Sequence, residues 1–534
     1  MRVLFELERG PGPLSWLFSH QRDRFHAQSE AGYVLIDPGP AYRVNHEGNV
    51  ALLHDGRLSG TSWEECERIG GSFLRMVFHE NGVGIQSDRL GTIHLYWRDT
   101  DDPLVLGSSL VDVAAHGSPH PDELGALQIM LLGQPIGERT LIDGVRLLPP
   151  AVDLDWDRGA GTHWRRYWKA TPAGAGEGSI SGDPVGDLIE RLTQAMERCA
   201  PTGSRVAFPV TGGLDSRINL ALGHFQGSRD LLFTVQSPGD PEVAISRRIG
   251  KVLGQQLHEV PFDSKRWWAF LETNPYDGEL HRGQCWLRAT GPFLQKLNPE
   301  LNLLDGYLQD AWINPRIVTA SEEQGPHQTQ ISTAQNRWQR LGHKISDSII
   351  KELCIHIENS YQSLGTPGLE ANQRFYLENR SRRYVYDTVR LAQRHLPVAL
   401  PGLDNDLMDF ALSLPWELRA DGPLYREAIL RLSPVLAQIP YDKTGLPLTS
   451  RRKCSGKRFL IRQAQRALNR IWPRRRALLG PESHLQTALR HDPDFRAAIA
   501  GRLNESTWVE EILRLKRPGT FLINSALDRQ ALVP

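Results

Sequence analysis

Val206-Ala-Phe-Pro-Val-Thr-Gly-Gly-Leu-Asp-Ser216 runs from an apolar stretch through a Gly-Gly loop into a helical pattern that opens at Asp215. An apolar strand ending in glycines at a helix start gathers backbone N–H groups and the positive end of the helix dipole at one spot. Such a spot suits the oxyanions of a nucleotide. Val210, Thr211, Gly212, Gly213, Leu214, Asp215 and Ser216 are therefore the candidate cradle. Gly212 and Gly213 let phosphates approach the main chain closely. Asp215 stands in the first turn, where a carboxylate is favoured and can hold Mg2+ bridging phosphates. Neither Gly-Lys-Ser/Thr nor Gly-x-Gly-x-x-Gly occurs here, so the loop is not of the Walker or dinucleotide kind. The plain alternative is a Gly-Gly turn joining a buried strand to a helix.

The elements that must position this loop are legible around it. Residues 205–210 and 231–235 read as strands, and 188–199, 215–222 and 242–253 as helices. Alternation of this sort predicts an α/β parallel sheet covered on both faces. From about residue 330 the chain is mostly helical, with 345–358, 377–396, 405–412 and 425–432 the clearest segments. Residues 1–165 instead show short apolar runs punctuated by Gly and Pro, such as Gly32-Tyr-Val-Leu-Ile-Asp-Pro38. They predict antiparallel strands, with one helix near 122–132. Between the two patterns, the Gly- and Ser-rich run inside residues 169–184 reads as a flexible linker.

Lys plus Arg and Asp plus Glu number 62 each, which gives no global case for nucleic acid. No apolar run is long enough to span a bilayer, so the expectation is a cytoplasmic protein without integral membrane association. The five cysteines, at 66, 199, 285, 354 and 454, are scattered and suggest neither a disulfide framework nor a Cys-x-x-Cys metal site.

The Thr211-Gly-Gly-Leu-Asp-Ser216 loop resembles the Ser-Gly-Gly-x-Asp-Ser loop of enzymes that split ATP between its α and β phosphates, with Thr211 replacing the first Ser. Further motifs occur in family order. Gly71-Ser-Phe, Asp88-Arg-Leu-Gly91, Leu95-Tyr-Trp97 and Gly107-Ser-Ser-Leu110 resemble the glutaminase part of the asparagine synthetase family. Phe233-Thr-Val-Gln236 is similar to the strand lining the adenine, which adds Val235. Leu303-Leu-Asp-Gly-Tyr-Leu-Gln-Asp310 takes the place of the second phosphate loop, which adds Asp305, Gly306 and Asp310. Pro401-Gly-Leu-Asp404 and Ile439-Pro-Tyr-Asp-Lys-Thr-Gly445 resemble later segments, the second carrying Lys443 as a cation for charge developing in the reaction. The resemblance implies an α+β sandwich of glutaminase (Ntn) type over 1–168, degenerate in function, then the linker. Residues 185–534 would form an α/β ATP-pyrophosphatase domain with a helical C-terminal part. ATP and Mg2+ are the implied cofactors, with Asp215 and either Asp305 or Asp310 as metal ligands.

Two departures shape the expected chemistry. Glutamine hydrolysis in the family needs a cysteine next to the initiator Met, and this chain has Arg2; Asp55-Gly-Arg57 stands for the family's Asn-Gly-Glu. The resemblance thus implies a carboxylate adenylated by ATP and attacked by an amine or ammonia, without glutamine. Small-molecule or peptide substrates fit this chemistry, as in β-lactam synthetases and lasso-peptide macrolactam cyclases. An ammonia-dependent asparagine synthetase and a silent nucleotide-binding scaffold are the alternatives. Second, the family's Glu-x-Arg falls on Pro397 and Ala399, leaving Glu378, Arg380 and Arg383 as candidates to supply charge from the preceding helix, or to form a solvated ion-pair face. Finally, residues 451–476 carry eleven Lys or Arg and no acid. They read as a cationic helix face for an acidic partner, or as a solvated face packed by its apolar side.

Overall fold

The computed structural model describes residues 1–21, 24–98, 103–173, 182–200, 205–222, 230–236, 241–261, 285–315, 325–340 and 346–450. The cationic run at 451–476 and the middle of the 169–184 stretch lie outside the described residues. At the ends of that stretch, Ala170 is buried in a core and Ala173 N–H donates to Leu412 O at 2.8 Å. Asp183 and Pro184 already open the helix Pro184–Cys199, with Pro at a first-turn position that needs no N–H.

The first part of the chain forms strands β1 (Arg2–Leu7), β2 (Leu17–Gln21), β3 (Arg24–Ser29), β4 (Gly32–Asp37), β5 (Arg43–Glu47) and β6 (Val50–His54). It continues with β7 (Phe73–His79), β8 (Gly82–Ser87), β9 (Tyr96–Arg98), β10 (Leu104–Gly107), β11 (Val145–Leu147), β12 (Val152–Asp157) and β13 (Gly161–Arg166). They pair antiparallel in two sheets, ordered β11-β9-β10-β1-β4-β3-β2 and β13-β12-β8-β7-β6-β5. Alternation of side chains stacks the layers. Val3, Phe5 and Leu7 of β1 meet Leu74, Met76 and Phe78 of β7 in the core between the sheets. Leu4 points the other way onto the helix Leu110–Ala114, while Leu52 and Phe73 face the helix Trp63–Ile69. The result is a helix–sheet–sheet–helix stack.

The second part builds a parallel sheet from β14 (Arg205–Pro209), β15 (Leu231–Gln236), β16 (Leu257–Pro261), β17 (Leu301–Leu304) and β18 (Val398–Ala399), ordered β16-β15-β14-β17-β18. Ala207, Phe233 and Leu303 line one buried face with Leu188 and Leu192. Val206, Phe208, Leu232 and Leu304 line the other with Ile249 and Leu436. Burial on both faces is why these strands read as continuous apolar runs. Strand order reverses between β14 and β17, the switch point at which open parallel sheets bind ligands beyond their carboxyl ends.

The expected helices form with shifted ends. The 345–358 segment is the helix Asp347–Gln362, and 425–432 begins two residues earlier as Pro423–Leu432. The 377–396 segment departs most. Residues Tyr376–Val385 wind as a π-helix between the α-helices Leu369–Phe375 and Tyr386–Ala392. The wider winding coincides with contacts that Asn379, Arg382 and Arg383 make to the sandwich, which no local periodicity encodes.

Candidate nucleotide site

The Gly-Gly loop sits at the carboxyl end of β14, at the switch point. Its conformation is held from within: Thr211 Oγ1 lies 3.0 Å from Ser216 Oγ and accepts from Gly213 N–H at 3.2 Å. Gly213 is the extended residue that opens the helix Leu214–Ala221, so the first-turn N–H groups have no side-chain cap and are available to an anion. Val210 is buried, its N–H donating to Phe233 O at 2.7 Å. Its carbonyl O lies 2.8 Å from Ser246 Oγ, which also accepts from Thr234 Oγ1 at 3.3 Å. Val235 comes next on β15, half-buried, opposite Val260 of β16.

Glycine is required at two close approaches. A Cβ on Gly212 would come within 2.5 Å of Asp442 Cβ, and one on Gly306 within 2.6 Å of Asp215 Cβ. The first contact docks the segment carrying Lys443 onto the loop, with Asp442 N–H donating to Gly212 O at 3.1 Å. The second brings the Asp305–Asp310 turn, at the end of β17, against Asp215. Both segments named by sequence order therefore converge on the one loop.

Three carboxylates share this corner and differ in environment. Asp215 accepts from the Tyr425 hydroxyl at 3.0 Å. Burial, then the neighbouring Asp310 and Asp305 charges, hold its carboxyl well above the usual range, against the opposing pull of Tyr425 and Lys443. Asp305 is buried and pushed up to about 6 by that burial, and its Oδ1 is engaged by Tyr307 N–H at 2.8 Å. Asp310 is exposed on the short helix Gln309–Ile313. Among the described residues no group of three or more His, Cys, Asp or Glu stands at metal-holding geometry. Mg2+ does not ask for one: it commonly takes one or two carboxylates and completes its shell with water and phosphate oxygens. Asp215 beside Asp310, whose charge raises the proton affinity of Asp215, is a donor set of that kind.

Several residues in the site carried no motif. Arg217 is fully buried and donates to Ile439 O at 2.6 Å, Pro440 O at 2.5 Å, Leu436 O and Gly212 O at 3.3 Å each. It ties the loop to the segment that delivers Lys443. Gln309 Nε2 donates to Asn219 Oδ1 at 2.9 Å, linking the second loop to the first helix. A charged residue immediately after Asp-Ser, leading into an apolar helix face, was the one available signal for Arg217. Glu378 and Arg380 are placed on the π-helical segment. Glu378 accepts from Arg166 of β13 at 2.7 Å and lies 3.7 Å from Arg374. The Arg380 guanidinium lies 3.7 Å from the Tyr384 ring centroid. Tyr376, on the same segment, feels both Asp310 and Arg380, and its hydroxyl is raised above its ordinary range chiefly by burial.

The chain matches no family model and no curated protein. Among solved structures it is similar to a U34-tRNA thiolase from Methanococcus maripaludis with its 4Fe-4S cluster, at 11% identity and TM-score 0.22, over 59% of this chain and 78% of that one. A glutamine phosphoribosylpyrophosphate amidotransferase from B. subtilis, complexed with ADP and GMP, matches at 10% identity and TM-score 0.18, over 60% and 82%. A glutamine-dependent NAD+ synthetase from Acinetobacter baumannii, in complex with ADP, matches at 14% identity and TM-score 0.19, over 50% and 66%. Likeness at these TM-scores carries no weight for fold or chemistry, so function rests on the site itself.

Proposed function

We propose that this chain is an ATP-dependent amide-forming ligase of the asparagine synthetase kind. A substrate carboxylate attacks the α-phosphate of ATP, pyrophosphate leaves, and an amine displaces AMP from the acyl-adenylate. The observation that carries the proposal is the convergence at the switch point of an uncapped Gly-Gly helix start, the Asp215–Asp310 pair and the Lys443 segment. The loop N–H groups from Thr211 to Ser216 would hold phosphate oxygens in place, and Val235 would flank the base. Lys443 would offset charge on the departing pyrophosphate, a fixed cation placed where charge develops. Mg2+, held by Asp215 and Asp310, would supply further neutralisation of the phosphates.

The described thiols do not support glutamine hydrolysis in this reading. Burial pushes Cys66 and Cys199 up to about 12, away from a reactive thiolate, and Arg2 of β1 is ion-paired with Asp112 at 2.7 Å. The nitrogen would come from ammonia or from an amine on the substrate. Closure of a ring between an amine and an activated carboxylate, as in macrolactam cyclases, is the specific reaction we favour. A silent scaffold is the rival reading, favoured by Pro397 and Ala399 at the family's Glu-x-Arg positions and by the engagement of Glu378 with two guanidiniums.

Product analysis separates these readings. Incubation with ATP, Mg2+ and carboxylate–amine substrates should yield AMP and pyrophosphate, and ADP with phosphate would refute adenylation. Asp215→Ala should lower turnover by about 100-fold or more while leaving the thermal transition in place, since the Tyr425 hydroxyl that donates to Asp215 keeps Gln309 Oε1 as an acceptor at 3.3 Å. ATP binding without turnover across a broad substrate panel would favour the scaffold.

A further inference from the structure

The segment 376–393 has one side on the nucleotide loops and the other on the sandwich. On the loop side, Ser381 Oγ donates to the Tyr307 hydroxyl at 3.3 Å, and the Tyr307 and Tyr386 rings lie 5.0 Å apart. Tyr307 in turn donates its N–H to Asp305. On the sandwich side the contacts are a row of hydrogen bonds, part-buried at Gly137 and buried at Gly91. Gly137 N–H donates to Asn379 Oδ1 at 2.8 Å, Arg383 donates to Gly137 O at 2.5 Å, and Arg382 Nε donates to Gly91 O at 2.9 Å.

At Tyr386 the bonds join into a directed chain. Asp88, buried in the turn that ends with Gly91, accepts from Thr92 Oγ1 at 2.7 Å. Thr92 has one hydroxyl proton and commits it there, so Ser72, 2.6 Å away, must donate to Thr92. Ser72 must then accept from Tyr386, 3.3 Å away, or from Tyr42 at 2.9 Å. Gln393 Nε2 donates to the Tyr386 hydroxyl at 3.3 Å. Donors thus point from Ser72 through Thr92 to the Asp88 carboxylate, with Tyr42 and Tyr386 both within reach of Ser72 and Gln393 bonded to both tyrosines. Every one of these groups is buried, so a missing link leaves its neighbour without water as a substitute.

We propose that this hydrogen-bonded chain makes the sandwich a positioning scaffold for the second nucleotide loop, with Thr92, Ser72 and Tyr386 as positioning residues. The turn Asp88-Arg-Leu-Gly91 serves as the socket that seats the 376–393 segment. That segment, through Tyr386, Ser381 and Tyr307, sets the Asp305–Asp310 turn. The inference rests on the ATP reading only for the identity of the ligand that profits.

The test uses the full chain and two readouts. Hydrogen exchange is followed at residues 303–310 and at 211–216, and ATP affinity is measured with Mg2+ present. Thr92→Val, which keeps shape and removes the hydroxyl, should speed exchange at 303–310 by about tenfold, as expected for one lost buried hydrogen bond. Exchange at 211–216 should stay unchanged, and ATP affinity should fall several-fold. Thr92→Ser, which retains the donor, should restore both. Exchange at 303–310 that matches the parent protein in Thr92→Val overturns the proposal. Should Thr92→Val not fold, Tyr386→Phe removes one hydroxyl and keeps the ring, with the same expected and overturning results. Absence of ATP binding by the parent protein would refute the ATP reading, while the exchange measurement still decides the positioning role.

Discussion

Arg217 ties the Gly-Gly loop to the backbone at residues 436–440. Burial holds its guanidinium down to about 10, and four backbone carbonyls replace the water it has lost. Arg217→Met would keep much of the stem and remove the guanidinium from Ile439 O and Pro440 O, while Gly212 O and Leu436 O keep the N–H groups of Asp442 and Ile439. We expect a stability loss on the order of 2–4 kcal/mol, read as a lower urea midpoint, together with weaker ATP binding. An unchanged midpoint would show that Ile439 O and Pro440 O find other partners. Neighbouring Thr211, Asp215 and Ser216 were legible in the sequence because they form one contiguous pattern. Arg217, Tyr425 and Gln309 were not, because their roles come from contacts across 90 or more positions.

The turn at 303–310, beside the Gly-Gly loop, is an element assembled under constraint. Leu308 is buried with a φ of 70°, a left-handed conformation that a branched apolar residue seldom adopts without support. Its neighbour Gly306 touches Asp215 so closely that any side chain must move one loop away from the other. Gly306→Val should therefore weaken Mg–ATP binding by roughly tenfold or more, with little change in the far-ultraviolet circular dichroism. Retained affinity would mean the two loops need not touch. Sequence order placed this turn beside the first loop but left Asp305 and Asp310 as equals. The structure distinguishes them, since Asp305 turns onto Tyr307 N–H while Asp310 stands exposed near Asp215. Strand periodicity gave the parallel sheet for a simple reason, its burial on both faces. The π-helical winding of 376–385 was not legible, because the partners it meets, at Gly91, Gly137 and Arg166, lie more than 200 residues earlier.

At the scale of the whole molecule, the seam between sandwich and parallel sheet is cationic and buried. His94 lies in it with Arg390 Nη1 3.1 Å from its Nδ1. Burial first, then Arg390, Arg382 and Arg383, hold its imidazole well below the ordinary value. The folded chain keeps His94 neutral while the unfolded chain takes up a proton near pH 6.5. Stability from this group is thus complete above about pH 6.5 and lost as pH falls, at about 1.4 kcal/mol per unit. Urea midpoints at pH 7.5 and 5.5 should show a smaller drop for His94→Gln than for the parent protein, and equal drops would remove His94 as the source. The same seam holds the last strand of the parallel sheet. Strand β18 is two residues long, and directly after it Arg57 reaches Leu400 O at 3.1 Å, Gly71 N–H donates to Leu403 O at 2.9 Å, and Gly70 bridges Asp404. A parallel sheet with an open flank is a template for other chains. Here the chain offers passing molecules almost no ladder, and the backbone just beyond the strand is already occupied by its own glycine turn. The sandwich therefore covers the backbone just past β18, and this flank of the sheet is closed to pairing by the chain's own turns.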